Sequence, residues 1–360
     1  MLTLVSPRFL CNFVIQKQIK KQEMADFAAK IELWYKCHKR VLPWRETVNP
    51  YYIWLSEIIL QQTRVEQGRA YYERFVSAFP TVQDLSDASE EQVMLLWQGL
   101  GYYSRARNLH KAAKQIAALG SFPSDYKSIL SLPGVGPYTA AAIASFAFGL
   151  PYAVVDGNVF RVLSRYFYVE TPIDSTEGKK VFRDLADEML DKKCPSLYNQ
   201  AIMDFGAVVC KPTGTECSIC PLSDTCLAFA NKCVQQLPVR AKKMKQKNRW
   251  FSYIYMLNDK GEVLIRKREG NDIWKGLYEF PLIESSEELP MASLQQRFPA
   301  GKWTLLQRGF VHQLTHQRLI VNFYKLELNK EKCTLSGIWV RESDLLNYAF
   351  PQLLVKLLSL

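Results

Sequence analysis

No stretch of this 360-residue chain approaches the roughly 18 consecutive apolar residues that a membrane-spanning helix needs, which excludes a helical membrane span. Residues 1–23 do not read as an export signal either. The apolar stretch within residues 1–23 is short, holds Asn12 and Gln16, and meets Lys17, Lys20 and Lys21 on the wrong side. Without export, nine cysteines argue against a disulfide framework and for reduced thiols or a metal. Acid is scarce: 35 Asp+Glu stand against 46 Lys+Arg, a formal net charge of +11. Such an excess favours a polyanionic partner, with anionic membranes and plain solubility as simpler explanations. The expectation is a soluble, cytoplasmic chain of two or three domains, with residues 1–23 a disordered extension because Met24 opens a better helix than Met1 does.

The stretch 131–156 is the organising one. Leu132-Pro133-Gly134-Val135-Gly136 follows an apolar-periodic run (Tyr126, Ile129, Leu130) and precedes Pro137, a residue suited to the first position of a helix. The pattern predicts helix, tight turn, helix over residues 126–149. Gly134 and Gly136 permit positive backbone dihedrals and close approach of another backbone, while the new helix presents free N–H groups; a phosphate fits there, and an ordinary helix–helix turn has the same composition. Asp156 then precedes a fresh helical pattern. Its simplest role is N-cap, which would also fix the carboxylate and hold it ionised.

Upstream, Phe27, Ile31, Trp34 and Tyr35 recur at helical spacing. Leu42-Pro43-Trp44-Arg45 reads as a loop placing an indole beside a guanidinium, able to clasp a planar base or simply to cap a core. Pro50 opens a helix predicted to run to about Phe79. Glu57 lies amid its apolar residues Ile53, Leu55, Ile58 and Ile59, where desolvation raises a carboxyl pKa and suits it to general-acid work; a solvent-facing glutamate is the ordinary alternative. Gln61 and Gln62 add amides nearby. Between helices predicted at 89–97 and 104–119, the glycines of Gly99-Leu100-Gly101-Tyr102 make a turn that would expose Leu100 and Tyr102 for wedging into a base stack, or would merely connect the helices.

Helices are predicted again over 179–190 and 198–209. Cys210, Cys217, Cys220 and Cys226 follow at gaps that fit a tetrahedral zinc or a four-iron cluster, which spacing does not separate. The other five cysteines read as small apolar residues. Residues 236–248 form a basic linker able to track phosphates or simply to be solvated. Beyond it the period changes to that of strands, at 250–257, 262–267, 317–328 and 338–340, closed by a helix at 349–358.

These motifs resemble the adenine DNA glycosylases of the MutY type from residue 24 onward: LPWR (42–45), WLSEIILQQTRV (54–65), GLGYYSRARNL (99–109), LPGVGPYTAAAI (132–143), VVDGNVFRVLSR (154–165) and the four cysteines. The resemblance implies a mainly α fold, a helix-hairpin-helix DNA glycosylase domain (24–235) with an iron–sulfur cluster loop (210–226), plus a C-terminal α+β Nudix-like domain (249–360) that recognises 8-oxoguanine. It implies that Glu57 protonates adenine, Asp156 stabilises the sugar cation, and Tyr138 and Asn158 order them. By the same resemblance Trp44, Arg45 and Asp204 lie near the adenine, Gln62 and Thr63 near the lesion strand, Leu100 and Tyr102 at the lesion, and the four cysteines hold a [4Fe-4S] cluster. The implied partner is double-stranded DNA containing 8-oxoguanine:adenine pairs, bound by a monomer without membrane association and, in a bacterium, at the nucleoid.

Two departures carry information. The lyase branch of the superfamily has a lysine where Tyr138 stands, so a monofunctional glycosylase is implied. Many members read Phe-Ser-His where this chain has Leu314-Thr315-His316; Thr315 keeps the hydroxyl and His316 is retained, but an aromatic is lost. No R-E-x-x-E-E run follows IWKGLYEFP (273–281), which argues against nucleotide hydrolysis. The rival readings are another mismatch glycosylase, or a DNA-binding protein in which Glu57 and Asp156 are surface and cap residues.

Overall fold

The computed structural model describes residues 26–241, 246–298, 300–328 and 335–358. The expected N-terminal extension and residues 242–245 of the expected linker lie outside these. The chain divides into two compact units, each discontinuous in sequence: Met1–Ile58 with Leu119–Lys243, and Ile59–Ala118 with Met244–Leu360.

The first unit is helical. Helix α1 (residues 26–38) leads through a short 3-10 turn, Pro43–Arg45, into α2 (Pro50–Leu60), whose last two residues belong to the second unit. The second unit then takes α3 (Val65–Ala78), α4 (Val82–Asp87), α5 (Glu90–Trp97) and most of α6 (Ser104–Leu119). The first unit resumes with α7 (Tyr126–Leu130), α8 (Pro137–Phe148), α9 (Gly157–Tyr166), α10 (Thr176–Met189), α11 (Pro195–Val208) and α12 (Leu227–Ala230). In α9 the apolar residues Val159, Val162, Leu163 and Tyr166 recur at three- and four-residue spacing and are buried. They meet Phe27 and Ile31 of α1, Phe182 of α10, and Tyr198, Ile202 and Phe205 of α11 in one core. Each such side chain contributes roughly 1.5–3 kcal/mol by leaving water.

The second unit adds a seven-stranded sheet ordered β3-β2-β1-β6-β5, with β4 also on β1 and β7 on β2. Its strands are β1 (Lys247–Leu257), β2 (Glu262–Lys267), β3 (Tyr278–Glu279), β4 (Leu282–Ser285), β5 (Gly301–Gln313), β6 (Gln317–Leu328) and β7 (Ile338–Arg341), with helices α13 (Met291–Gln295) and α14 (Gln352–Leu358). β1 and β6 run parallel, Phe251 opposite Val321 and Tyr253 opposite Phe323. These side chains, with Phe280, meet Leu353, Leu354 and Leu357 of α14 in the core.

Three expectations are corrected. The helix from Pro50 does not run to Phe79: it stops at Leu60 and restarts at Val65. Continuing it would have used the carbonyls of Ile59 and Gln61, but Arg105 Nη1 takes both, at 2.9 and 2.5 Å. Strand β5, unanticipated, runs for 13 residues; its register shifts twice, between Leu305 and Gln307 and between Gln307 and Phe310, and so its sequence does not alternate. Third, the turn at Gly99 exposes only one bulky side chain, for Leu100 is buried while Tyr102 is 45% exposed.

Candidate active site

In the first unit the pieces predicted from sequence converge. Glu57, in the apolar run of α2, is only 6% exposed. Burial pushes its carboxyl up to about 7, and the nearby Asp156 charge adds to this, while a hydrogen bond from Tyr138 and the Arg45 charge oppose it. Tyr138, the second residue of α8, donates its hydroxyl to Glu57 Oε2 at 2.7 Å. The hairpin turn thus places a hydrogen-bond partner of Glu57 at the start of α8 as well as a candidate phosphate site.

Asp156 does cap α9. Its Oδ1 accepts the backbone N–H groups of Asn158 and Val159 at 2.9 and 2.8 Å, and Oδ2 accepts Asn158 Nδ2 at 2.8 Å. These bonds favour the ionised form, as expected, yet the net direction is upward because burial outweighs them. Asn158 is held in turn. Arg161 Nη2 donates to Asn158 Oδ1 at 2.8 Å and to the Gly206 carbonyl at 2.7 Å, and its Nε donates to the Cys210 carbonyl at 2.7 Å. One guanidinium therefore joins the first cysteine of the 210–226 loop to the neighbour of the aspartate.

Gly206 of α11 is a position that the sequence reading passed over. A Cβ there would meet Asn158 Cβ at 2.6 Å and the Asn158 carbonyl oxygen at 3.0 Å, so α9 and α11 approach this closely only over glycine. Gly206→Ala is expected to cost about 1–3 kcal/mol of stability and to lower the single-turnover rate by displacing Asn158, read by thermal melting and by base release at a temperature where the variant is folded. An unchanged rate would mean that Asn158 tolerates the shift.

Asp204 is fully buried and anchors two arginines. Arg45 donates to it at 2.5 and 2.7 Å, and Arg40 through Nη2 and Nε at 2.5 and 2.8 Å. Burial alone would raise the Asp204 pKa, but the two guanidinium groups hold it below the usual value. Arg40 was not foreseen, since a base at the end of a helix next to Lys39 looks like a solvated charge. Trp44 is 6% exposed, closer to a core residue than to an open stacking face. Arg40 and Arg45 line a cavity of about 510 Å³ with Tyr35, Leu42, Lys193 and Gln200, a size usual for ligand sites. Glu57 is not in its lining, and Arg45, whose charge Glu57 feels, is the link between the two.

Of the two hairpin glycines only Gly134 needs its freedom, with φ 79°. Gly136 is extended at φ −94°, and a Cβ on it would meet nothing within 4 Å, so the protein itself does not require glycine there. Cys210, Cys217, Cys220 and Cys226 line one cavity with Arg165, Tyr166 and Phe205. Burial and the neighbouring thiols push Cys220 up to about 11, and Arg165 Nη1 lies 3.4 Å from Cys210 Sγ. Among the described residues no group of three or more Cys, His, Asp or Glu is drawn together closely enough for a single metal ion. Of the remaining described cysteines Cys233 is buried, as expected of a small apolar residue, but Cys37 and Cys194 are exposed.

In the second unit, Gln62 and Thr63 form the turn after α2, and Tyr102 ends the turn before α6. The Tyr102 hydroxyl and Thr315 Oγ1 are 2.5 Å apart. Thr315 and His316 occupy the turn from β5 to β6, and Leu314 packs against the sheet core.

The chain matches the model of the HhH-GPD superfamily base excision DNA repair proteins over residues 55–187 and that of the NUDIX domain over residues 252–360. It is 35% identical over 297 residues to an adenine DNA glycosylase of Buchnera aphidicola, covering 81% of this chain and 83% of that one. It is 42% identical over 217 residues to the adenine DNA glycosylase of Homo sapiens, 57% of this chain and 40% of that. Among solved structures a thermostable thymine-DNA glycosylase superposes with a TM-score of 0.55 at 29% identity, over 59% of this chain and 99% of that. An endonuclease III–DNA complex shares the fold, with a TM-score of 0.51 at 24% identity, over 59% of this chain and 97% of that. With Glu57, Tyr138 and Asp156 assembled on that fold, the chain belongs to the adenine DNA glycosylases of the MutY type, enzymes of base excision repair that remove adenine from DNA.

Proposed function

We propose that this glycosylase excises adenine paired with 8-oxoguanine, and more slowly adenine paired with guanine, by acid-assisted hydrolysis of the N-glycosidic bond, leaving an abasic site without cutting the strand. The observation that carries the chemistry is the buried Glu57 carboxyl, titrating near 7 beside Tyr138 and within the field of Asp156. Near pH 7 a large share of this carboxyl is protonated and donates its proton to the leaving adenine, which departs as a neutral base. The deoxyribose then carries positive charge, which the carboxylate of Asp156 stabilises as a glycosidase carboxylate does. Water then adds to the anomeric carbon and gives its proton to the Glu57 carboxylate, completing the hydrolysis and restoring the acid. Asn158 and the backbone of α9 fix that carboxylate, and Tyr138 fixes Glu57. With a phenol at residue 138 and no amine, attack by the protein on the sugar carbon to give a lyase intermediate has no nucleophile there.

Lesion reading rests on the second unit. Tyr102 is the exposed wedge, Gln62 and Thr63 flank the lesion strand, and Thr315 meets the Tyr102 hydroxyl, so that an inserted tyrosine brings the threonine hydroxyl to the opposing base. The adenine enters a pocket read by Arg40 and Arg45, with Asp204 aligning the two guanidinium groups and Trp44 buried beside them as support, not as a stacking face.

The four cysteines fit a [4Fe-4S] cluster. They line one cavity with apolar walls, their thiols repel one another as thiolates, and Arg165 stands ready to offset the negative charge. Bound by these four cysteines, a cluster would brace the 210–226 loop, whose Cys210 carbonyl receives Arg161. Cys220→Ser is expected to abolish the brown chromophore and to make residues 210–226 susceptible to protease, since a ligand set of this kind contributes folding energy directly. A variant that keeps its iron would place the cluster elsewhere.

The test is single-turnover adenine release from duplexes containing 8-oxoguanine:adenine, guanine:adenine or thymine:adenine, with borohydride trapping alongside. Rates in that descending order and no trapped adduct are expected. Equal rates from all three would remove the lesion-reading part, and an adduct would remove the monofunctional part.

A further inference from the structure

We propose that Arg105 is a positioning residue that clamps the two DNA-facing turns of the second unit, 61–63 and 99–102, into one rigid reading surface; this rests on the lesion-reading function proposed above. Its guanidinium is a fork with one tine in each turn. Nη1 donates to the carbonyls of Ile59 and Gln61 at 2.9 and 2.5 Å and to Thr63 Oγ1 at 3.3 Å. Nη2 points to the carbonyls of Leu100 and Gly101 at 3.4 and 3.2 Å.

The cation lies 5.0 Å from the Trp97 ring centroid and 5.6 Å from that of Tyr102, and Trp97 Nε1 donates to the same Gly101 carbonyl at 3.0 Å. Arg105 is 8% exposed, so this charge has been withdrawn from water and is met by carbonyl oxygens and ring faces. Burial brings its pKa down to about 10, which leaves it charged at neutral pH.

Both turns carry a non-glycine residue in the left-handed region, Gln62 at φ 55° and Tyr102 at φ 47°. Such conformations persist only where the surroundings hold them. Each strained residue is among those expected at or near the lesion, and each sits beside a carbonyl that Arg105 holds. Through the hydroxyl contact from Tyr102 to Thr315 the clamp extends to the β5–β6 turn, so three turns far apart in sequence share one register. Lysine does not substitute: a single ammonium carries the charge but lacks the planar fork that reaches two turns at once.

The experiment compares wild type, Arg105→Lys and Arg105→Met in two assays. The first is single-turnover adenine release from 8-oxoguanine:adenine and guanine:adenine duplexes; the second is amide hydrogen exchange on the full-length protein. In Arg105→Lys the ratio of the two rates is expected to fall by at least about tenfold, because misplacing a contact group by an ångström costs on that order or more. Exchange is expected to quicken in both 59–64 and 99–104 while 137–148 keeps its protection. Arg105→Met should deepen both effects; if it does not fold, the lysine variant decides. Both rates falling by one common factor, or exchange quickening in only one turn, would overturn the clamp. A wild type that shows no preference for the lesion duplex would instead remove the lesion-reading proposal, and the exchange result would still decide whether Arg105 couples the turns.

Discussion

Glu57→Gln is expected to lower the single-turnover rate of adenine release by about 10²–10⁴-fold, the range that a positioned general acid supplies. The amide keeps an oxygen that accepts the Tyr138 hydroxyl, so packing in α2 should persist, while the proton that the leaving adenine needs is gone. Lesion-duplex affinity should change little, since Glu57 lies in the first unit and the reading turns in the second. A parallel loss of affinity and rate would mean that the substitution disturbs the fold. Tyr138→Phe offers a subtler check on the same pair. Its hydroxyl bond lowers the Glu57 pKa, so removing it should move the loss of activity on the alkaline side to higher pH.

Asp156→Asn is expected to cost about 10²–10³-fold in rate, typical for deleting an oriented electrostatic contact to a charge that develops in the transition state. Asparagine is as good an N-cap as aspartate, so the bonds to the N–H groups of Asn158 and Val159 should survive and α9 should remain intact. The substitution separates the two roles that the sequence left joined. A small effect on rate would make Asp156 a cap alone. A large drop in melting temperature would show that its charge, and not only its oxygen, is needed at the helix terminus.

The residues proposed for the chemistry are legible because each sits in a local pattern. Glu57 interrupts an apolar run, Asp156 precedes a helix, and Tyr138 follows a glycine turn. Their supports were not legible, because they act across long separations. Arg40 reads as a solvated base until its partner Asp204, 164 residues away, is seen. Gly206 reads as an ordinary helical glycine until Asn158 is found against it. Arg105 is one base among several in α6, yet it ends α2 at Leu60, and no property of residues 50–79 reveals this. In the C-terminal region, β1, β2 and β6 announced themselves by alternation. β5 did not, because its bulges break the period that makes a strand visible. Leu100 shows the opposite failure: two flanking glycines suggested exposure, but tertiary packing took the side chain inward.

The measurement that tests the central claim most directly is the pH dependence of single-turnover adenine release from an 8-oxoguanine:adenine duplex, for wild type and Glu57→Gln. The proposed mechanism needs Glu57 protonated, so the wild-type rate should fall as pH rises through about 7. It also needs Asp156 ionised, so the rate should fall again on the acid side, at a pH above the usual aspartate range because burial raises that group. Glu57 and Asp156 feel each other's charge, so the two limbs belong to the pair and not to either residue alone. In Glu57→Gln the alkaline limb should vanish along with most of the rate. A wild-type profile flat through neutrality, or an alkaline limb that survives the substitution, would show that the proton comes from elsewhere.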